Sequence, residues 1–265
     1  LRAQLSLDFN ADASLLLAAS LSQNKGVAGT ATAWWQTPAR YTRAPLGIAI
    51  GSACDFSTAA KFDPRRVCHD APDRGKNETE LYSATFDWAL PFANFTSVTA
   101  YGTSDVNQVS DGDGSDLPMA IGAPWILNSK QFSQEVRFAS KGDGALRWVV
   151  GGIYFYGKNF QDFGYRDLGF NDFGPTAPFD AFNFFSQGTS KTKSWAPFAQ
   201  LDYDLSKTGA GVPLTLTLGV RYTHDRKYGF NRLDYQLPLV CGGSCGVTQG
   251  PFSKSWDQVT GKIGA

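Results

Sequence analysis

The chain has 265 residues and no formal net charge, since 24 basic residues balance 24 acidic ones, which gives no support for a polyanionic partner such as nucleic acid. Aromatic residues make up 14% of the chain and glycines number 28, while charged residues are only 18%, a mixture that favours a β-rich protein with many turns. No run approaches the ~20 consecutive apolar residues of a membrane-spanning helix, so a helical span is excluded, although membrane strands give a weaker signal.

Alternation of apolar and polar residues with a period of two predicts nine strands. In chain order they are predicted at 1–9, 13–23, 77–90, 94–105, a two-strand hairpin at 129–158, 191–206, 212–230 and 253–265. The hairpin is the clearest, because Phe132, Val136 and Phe138 share one parity while Glu135 and Arg137 share the other. Its tight turn is predicted at 141–144, where Gly and Asp tolerate the positive φ of a two-residue hairpin loop.

The connections between these strands alternate in length. Short turns join the first strand of each pair to the second, and long segments at 24–76, 106–128, 159–190 and 231–252 join the pairs. In an up-and-down meander, alternate connections lie at the same end of the sheet. This asymmetry is typical of outer-membrane barrels, whereas a soluble Greek-key sandwich would mix loop lengths at both ends.

Strand length and aromatic placement point the same way. A tilted strand of roughly 9–11 residues crosses a bilayer, about twice the ordinary soluble length. Aromatic residues near the strand ends are typical of two interfacial girdles, although aromatic residues also fill soluble β cores. They are Trp88, Tyr101, Trp148, Tyr154, Tyr156, Trp195, Tyr203 and Tyr222.

The four cysteines form two local pairs, Cys54 with Cys68 and Cys241 with Cys245, in loop sequence. Such pairing predicts disulfides and an oxidising compartment. A zinc site is the alternative, but the spacing lacks C-x-x-C pairs and His69 is the only nearby imidazole.

Several strand pairs resemble those of TonB-dependent outer-membrane receptors. QFSQEVRFAS followed by LRWVVGGIYFY is similar to a recurrent hairpin of their barrels, and SWAPFAQLDYDLS followed by LTLTLGVRYTHDRKYG is similar to the next one. RAQLSLDFNADASLLLAAS and LYSATFDWALPFANFTSVTAYG resemble earlier hairpins, so the ordered resemblance spans essentially the whole chain.

The resemblance implies an all-β fold, an up-and-down antiparallel transmembrane β-barrel of about 22 strands with a plugged lumen. Residues 1–265 are then expected to form one partial barrel domain of about nine strands, a fragment cut at both ends, with the plug domain absent. The expected location is the bacterial outer membrane, in contact with membrane lipid and lipopolysaccharide.

The implied function is energised uptake by the parent receptor of a bulky solute such as a ferric siderophore, cobalamin or an oligosaccharide. Energy is expected from the inner-membrane TonB complex, acting through the missing plug. No enzymatic activity, metal or cofactor is expected, because His69 and His224 form no catalytic constellation with neighbouring residues.

Two groups of residues are the candidate functional sites. Aromatic and arginine side chains of the long loops are candidates for stacking on a solute, with self-packing at the barrel mouth as the alternative. They are Trp34, Trp35, Tyr41, Arg43, Phe163, Tyr165, Arg166 and Phe170. Polar strand residues are candidates for a wet lumen, with pairing among themselves or with the plug as the alternative. They are Gln131, Glu135, Arg137, Gln200, Asp202 and Arg221.

Two alternative functions remain open at the level of the sequence. One is a secreted soluble β-sheet protein that binds glycans and is held by two disulfides. The other is a piece with only a structural or surface-interaction role.

Overall fold

The computed structural model describes residues 1–26, 41–43, 48–50, 74–109, 125–165, 183–209, 212–236 and 247–265. The strands are β1 (Arg2–Asp8), β2 (Ala13–Gly26), β3 (Tyr41–Arg43), β4 (Ile48–Ile50), β5 (Arg74–Ala89), β6 (Ala93–Val109), β7 (Trp125–Ser140), β8 (Leu146–Tyr165), β9 (Asn183–Asp204), β10 (Thr215–Gln236) and β11 (Val247–Gly264). A single turn of 3-10 helix, Leu205–Lys207, follows β9. Within the described residues, no helix has the length and apolarity needed to span a bilayer.

Nine of these strands form one antiparallel sheet in the order β1-β2-β5-β6-β7-β8-β9-β10-β11. The order of strands in the sheet follows their order in the chain, apart from β3 and β4, which pair with each other. The predicted all-β, up-and-down antiparallel fold is therefore confirmed. The sheet is open among the described residues, because β1 and β11 each pair with one neighbour only. An open meander of nine strands is what part of a larger barrel wall looks like.

A nearly uninterrupted register gives the sheet two chemically distinct faces. Pairing keeps one register from β1 to β11, with a single irregularity between Phe230 and Arg232 on β10. Residues of one parity on every strand therefore share a face. The apolar face carries Leu15, Leu17, Phe86, Phe95, Phe138, Val150, Leu201, Leu218, Val220 and Val259. The polar face carries Asp87, Thr96, Ser133, Glu135, Arg137, Ser194, Gln200, Asp202, Thr217 and Arg221.

The apolar face is not covered by a second layer of the described strands. Contacts between the described elements run between neighbouring strands of a sheet, and the only apolar residues among them that are buried are Ala13, Ala93, Val109 and Ala196. Leu218 is 57% exposed and Val220 is 52% exposed. A water-soluble sheet needs a partner layer to bury such a face. The alternative of a soluble glycan-binding β protein is therefore not supported.

The strands extend further toward the long connections than the sequence predicted. β8 reaches Tyr165 rather than 158, and β9 begins at Asn183 rather than 191. In these extensions both faces carry polar residues, so the alternation disappears although backbone pairing continues. The first long segment, predicted to be irregular, also contains a short ladder, in which β3 pairs with β4.

The turn between β7 and β8 lies where it was predicted but is longer. β7 ends at Ser140 and β8 begins at Leu146, so the connection is 141–145 rather than a two-residue loop. Gly142 has a φ of 75°, in the left-handed region that favours glycine. The Trp148 amide donates a 3.0 Å hydrogen bond to the Ser140 hydroxyl, which closes the turn.

Candidate functional site

The six strand residues predicted to line a lumen all lie on the polar face. They are Gln131, Glu135 and Arg137 on β7, Gln200 and Asp202 on β9, and Arg221 on β10. One row of cross-strand partners runs from Arg137 through Gly151 and Phe198 to Arg221. The register therefore brings the two arginines to the same level of the wall, three strands apart.

Three charged groups of this face, Glu135, Arg137 and Asp202, have partners within the wall. Arg137 Nη1 lies 3.4 Å from Glu135 Oε1, two residues away on the same strand. Asp202 accepts hydrogen bonds from Thr217 Oγ1 at 2.7 Å and from Gln200 Nε2 at 3.2 Å. Such exposed ion pairs contribute only ~0–1 kcal/mol to stability. The pairs leave the wall wet and close to neutral.

Phe198 is a polar-face residue that the sequence did not single out. Its ring lies over Gly151, because a Cβ built on that glycine would be 2.7 Å from Phe198 Cζ and 3.0 Å from Arg137 Cβ. The missing side chain at 151 is therefore what lets the ring approach the strand beside Arg137. Phe198 directly follows Pro197, and an aromatic residue on the polar face of a strand gives no signal in the alternation of apolar and polar residues.

An aromatic pair marks the end of the polar face that the long connections reach. Phe163, a predicted solute-stacking residue on β8, packs against Trp125 on β7 with ring centroids 5.7 Å apart and planes at 66°. Both side chains are on the polar face. Trp125 has the same parity as Gln131 on β7, and Phe163 has the same parity as Gly157, which is the partner of Gln131 on β8. Trp125 was missed because it lay in a segment predicted to be loop.

A shallow groove lies next to this pair on the same face. It is lined by residues of β8, β9, β10 and β11, mainly with amide and hydroxyl side chains, together with Phe230 and Phe252. The polar-face residues involved are Asn159, Gln161, Ser186, Ser190, Asn231 and Phe252. Uncharged donors and acceptors beside aromatic rings suit a bulky solute with many oxygen atoms.

The other predicted solute-stacking residues and all four cysteines are only partly placed, or not placed at all. Tyr41 and Arg43 lie in β3 and Tyr165 ends β8, and only their backbones are described. The remainder lie outside the described residues, namely Trp34, Trp35, Arg166, Phe170, Cys54, Cys68, Cys241 and Cys245. In the described part of the chain, no cluster of three or more His, Cys, Asp or Glu residues could hold a metal ion.

The apolar face carries two aromatic rows. All eight aromatic residues predicted for the girdles lie on it: Trp88, Trp148 and Tyr203 toward the short turns, and Tyr101, Tyr154, Tyr156, Trp195 and Tyr222 toward the long connections. Trp148 and Tyr156 are eight residues apart on β8, or roughly 26 Å along the strand. At a tilt of ~40° this is about 20 Å along a membrane normal, close to the apolar band of membrane barrels.

A small polar patch interrupts the apolar face without leaving its side chains unpaired. Thr99 Oγ1 donates to Gln134 Oε1 at 2.6 Å, and Gln134 Nε2 donates to Ser97 Oγ at 2.9 Å. Polar groups in an apolar medium are costly unless they are hydrogen-bonded to one another. This patch is therefore compatible with a face turned toward hydrocarbon.

Comparison with known proteins identifies relatives of this wall. A family model described as "TonB dependent receptor-like, beta-barrel" matches residues 11–265. The crystal structure of the ferric yersiniabactin uptake receptor FyuA from Yersinia pestis matches 99% of this chain with a TM-score of 0.66 and 15% identity. At that identity the likeness shows the fold alone. The match covers 34% of the FyuA chain, so this chain spans about a third of it. Among curated proteins, no sequence is significantly similar to this one.

Proposed function

The chain belongs to the TonB-dependent receptor family, and on that premise we propose that its strands form part of the barrel wall of an outer-membrane receptor that takes up a bulky solute. The observation that carries this proposal is the division of one uncovered sheet into an apolar face with two aromatic rows and a polar face. Hydrocarbon on one side and water on the other is the environment in which both faces are stable.

The open edges of the sheet support placing it in a larger barrel. In hydrocarbon, each unsatisfied backbone group costs several kcal/mol, so only closed barrels span a membrane with strands. Among the described strands, β1 and β11 each have one edge without a partner. We therefore propose that residues 1–265 all belong to the barrel domain, and that further strands and the plug come from other parts of the receptor.

The orientation follows from the lengths of the connections. Outer-membrane barrels have short periplasmic turns and long extracellular loops. The short connections at 9–12, 90–92, 141–145 and 205–214 share one end of the sheet, and the long connections share the other. In the proposed orientation the Trp125–Phe163 pair and its neighbouring groove lie near the extracellular mouth, on the lumen side.

The second part of the proposal concerns the chemical class of the solute. FyuA takes up ferric yersiniabactin, and a siderophore-like solute fits a mouth lined by aromatic rings and amides. Cobalamin and oligosaccharides are the other solutes for which such a mouth is suited. Energy would come from the inner-membrane TonB complex through the plug, and no catalytic role is proposed.

The experiment is solute-dependent growth of a strain that lacks the receptor gene. Complementation with the full-length receptor is expected to restore uptake of one solute from a panel of ferric siderophores, cobalamin and oligosaccharides, and dissipating the proton-motive force is expected to abolish it. If uptake of every solute in the panel is the same with and without the receptor, the proposal is wrong.

A pair of variants then tests the mouth. Trp125→Ala removes one ring of the polar-face pair and is expected to weaken solute binding about 5-fold, since an aromatic contact is worth about 1 kcal/mol. Trp88→Ala, on the apolar face, is the matched control and should leave binding unchanged. Equal losses in both variants would show that the effect is on folding rather than on solute contact.

A further inference from the structure

Five positively charged side chains are clustered on the apolar face, just beyond the aromatic row on the side of the long connections. We call this group the cationic row, and it comprises Lys130, Lys158, Lys191, Lys193 and Arg226. On each of four consecutive strands an aromatic or histidine side chain lies two residues closer to the short turns: Phe132, Tyr156, Trp195 and His224.

The cross-strand register places these charges directly opposite one another. Lys130 pairs with Lys158, Lys158 pairs with Lys191, and Lys193 pairs with Arg226. Residues directly opposite have Cβ atoms about 5 Å apart, and like charges in such pairs are destabilising. A sheet that places three such pairs side by side carries an electrostatic cost that an anion would remove.

The carboxylate nearest to Lys130 on the row's own face, Asp105, lies diagonal to it and accepts a 2.5 Å hydrogen bond from Asn128 Nδ2. None of the ion pairs formed within the described part of the chain includes any of its five members. Asp257, one row nearer the short turns than Arg226, accepts hydrogen bonds from Tyr222 and His224 instead. Two members of the row lie over an aromatic ring, since Lys191 Nζ and Arg226 Cζ are 5.7 and 5.5 Å from the centroid of Tyr228.

From this geometry we propose that the cationic row binds the phosphate groups of lipids in the leaflet that faces the long connections. The row lies on the same face as the hydrocarbon-facing residues and directly beyond their aromatic row, where lipid headgroups begin. Each Lys or Arg near an anionic membrane surface contributes about a fivefold step in affinity. The inference rests on the proposed orientation of the wall in a membrane, and it adds a specific headgroup site.

The polar face provides a matched control at the same level of the wall. Lys227 and Lys254 are also directly opposite one another, on β10 and β11. Lys227 directly follows Arg226, so its side chain points to the other face. Both control lysines are exposed, as is Lys158, whereas Lys191 is partly buried. A K227Q/K254Q variant therefore removes the same charge as K158Q/K191Q, but from the face turned toward water.

The test uses the full-length receptor purified in a neutral detergent, with diphosphorylated lipid A as the probe and native mass spectrometry to count bound lipid. The K158Q/K191Q variant is expected to bind this probe about 30-fold more weakly than the wild type, the product of two steps of ~1 kcal/mol each. The K227Q/K254Q variant is expected to bind as the wild type does. Added salt should weaken wild-type binding because the contacts are partly exposed.

Four outcomes would overturn the proposal. One is equal binding by K158Q/K191Q and the wild type, and another is an equal loss in K227Q/K254Q. The third is equal binding of dephosphorylated lipid A, which would show that phosphate is not what is recognised. Polyglutamate serves as the competing probe: if it binds through Lys158 and Lys191 at least as well as the lipid, the partner is an acidic protein and the proposal is wrong.

A stability measurement separates this site from the proposed uptake function. In neutral detergent without lipid A, K158Q/K191Q is expected to unfold at the same or a higher temperature than the wild type, because a like-charge pair has been removed. With lipid A the order should reverse. Solute uptake by the variant should remain normal, so a failure of lipid binding leaves the uptake proposal standing, and a failure of uptake leaves the lipid site testable.

Discussion

Val220→Arg is the substitution that most directly tests which face meets hydrocarbon. Val220 lies on the apolar face of β10, opposite Ala199 on β9 and Gly261 on β11, and is 52% exposed. Leu216, four residues toward the short turns, is opposite Tyr203 of one aromatic row. His224, four residues the other way, is opposite Trp195 of the second row. Val220 is therefore midway between the two rows.

The expected cost follows from that depth. At ~3.3 Å per residue and a tilt of ~40°, four residues correspond to about 10 Å along the membrane normal. Arginine on the lipid face of a barrel costs about 2–4 kcal/mol at the midplane and about 0–1 kcal/mol near the interfaces. Val220→Arg should therefore lower the free energy of unfolding by about 3 kcal/mol, and Leu216→Arg by less than about 1 kcal/mol.

Thr217→Arg is the control for the opposite face. Thr217 lies next to Leu216 in sequence, on the polar face, and its hydroxyl donates to Asp202 at 2.7 Å. An arginine there keeps a carboxylate partner and faces water, so the expected change is within about 0.5 kcal/mol. The sequence itself carries an arginine on this face of β10, at Arg221.

The assay is equilibrium unfolding of the full-length receptor in phosphatidylcholine vesicles by guanidinium, extrapolated linearly to zero denaturant. The expected order of destabilisation is Val220→Arg, then Leu216→Arg, then Thr217→Arg. Equal costs for Val220→Arg and Thr217→Arg would show that both faces meet the same medium. A larger cost for Thr217→Arg would mean that the two faces have been assigned the wrong way round.

Two further predictions concern the fold and the loops. Gly229→Ala should destabilise the receptor by about 1–3 kcal/mol in the same assay, because its Cβ would overlap the Thr189 carbonyl oxygen. Gly144→Ala, with no atom within 4 Å of its Cβ, should change the stability little. Equal effects of the two substitutions would contradict the packing of β9 against β10. Non-reducing peptide mapping should find the two local cysteine pairs linked, Cys54 with Cys68 and Cys241 with Cys245; free thiols at all four would remove the argument for an oxidising compartment.

The sequence predicted the strands well wherever one face met a different medium from the other. β10 is an example, since Leu216, Leu218 and Val220 alternate with Thr217, Gly219 and Arg221, and the register places the two sets on opposite faces. β6 was harder, because Ser97 and Thr99 break the alternation on the apolar face. Their hydrogen bonds to Gln134 on the neighbouring strand explain why polar residues are tolerated there, and such cross-strand partners are not visible in one strand's sequence.

The candidate site was predicted only in part, for a related reason. Parity within one strand sufficed to place Glu135 and Arg137 together. The Trp125–Phe163 pair depends on the register between β7 and β8 beyond the apolar band, where both faces are wet and periodicity carries no information. The cationic row was missed for the same reason, since it appears only when four strands are aligned side by side.

The two faces together imply a division of roles within the receptor. On the polar face, Glu135 and Asp202 are satisfied by partners in the wall itself, so at that level the wall offers a solute a hydrated surface and few free charges. A hydrated and nearly neutral surface allows passage more readily than it confers tight binding. Under the proposed function, selectivity for the solute arises near the Trp125–Phe163 pair and in the long connections beyond it. Under the proposed orientation, anchoring needs only the apolar face, where the aromatic rows set the depth and the proposed lipid site of the cationic row adds contact with phosphate.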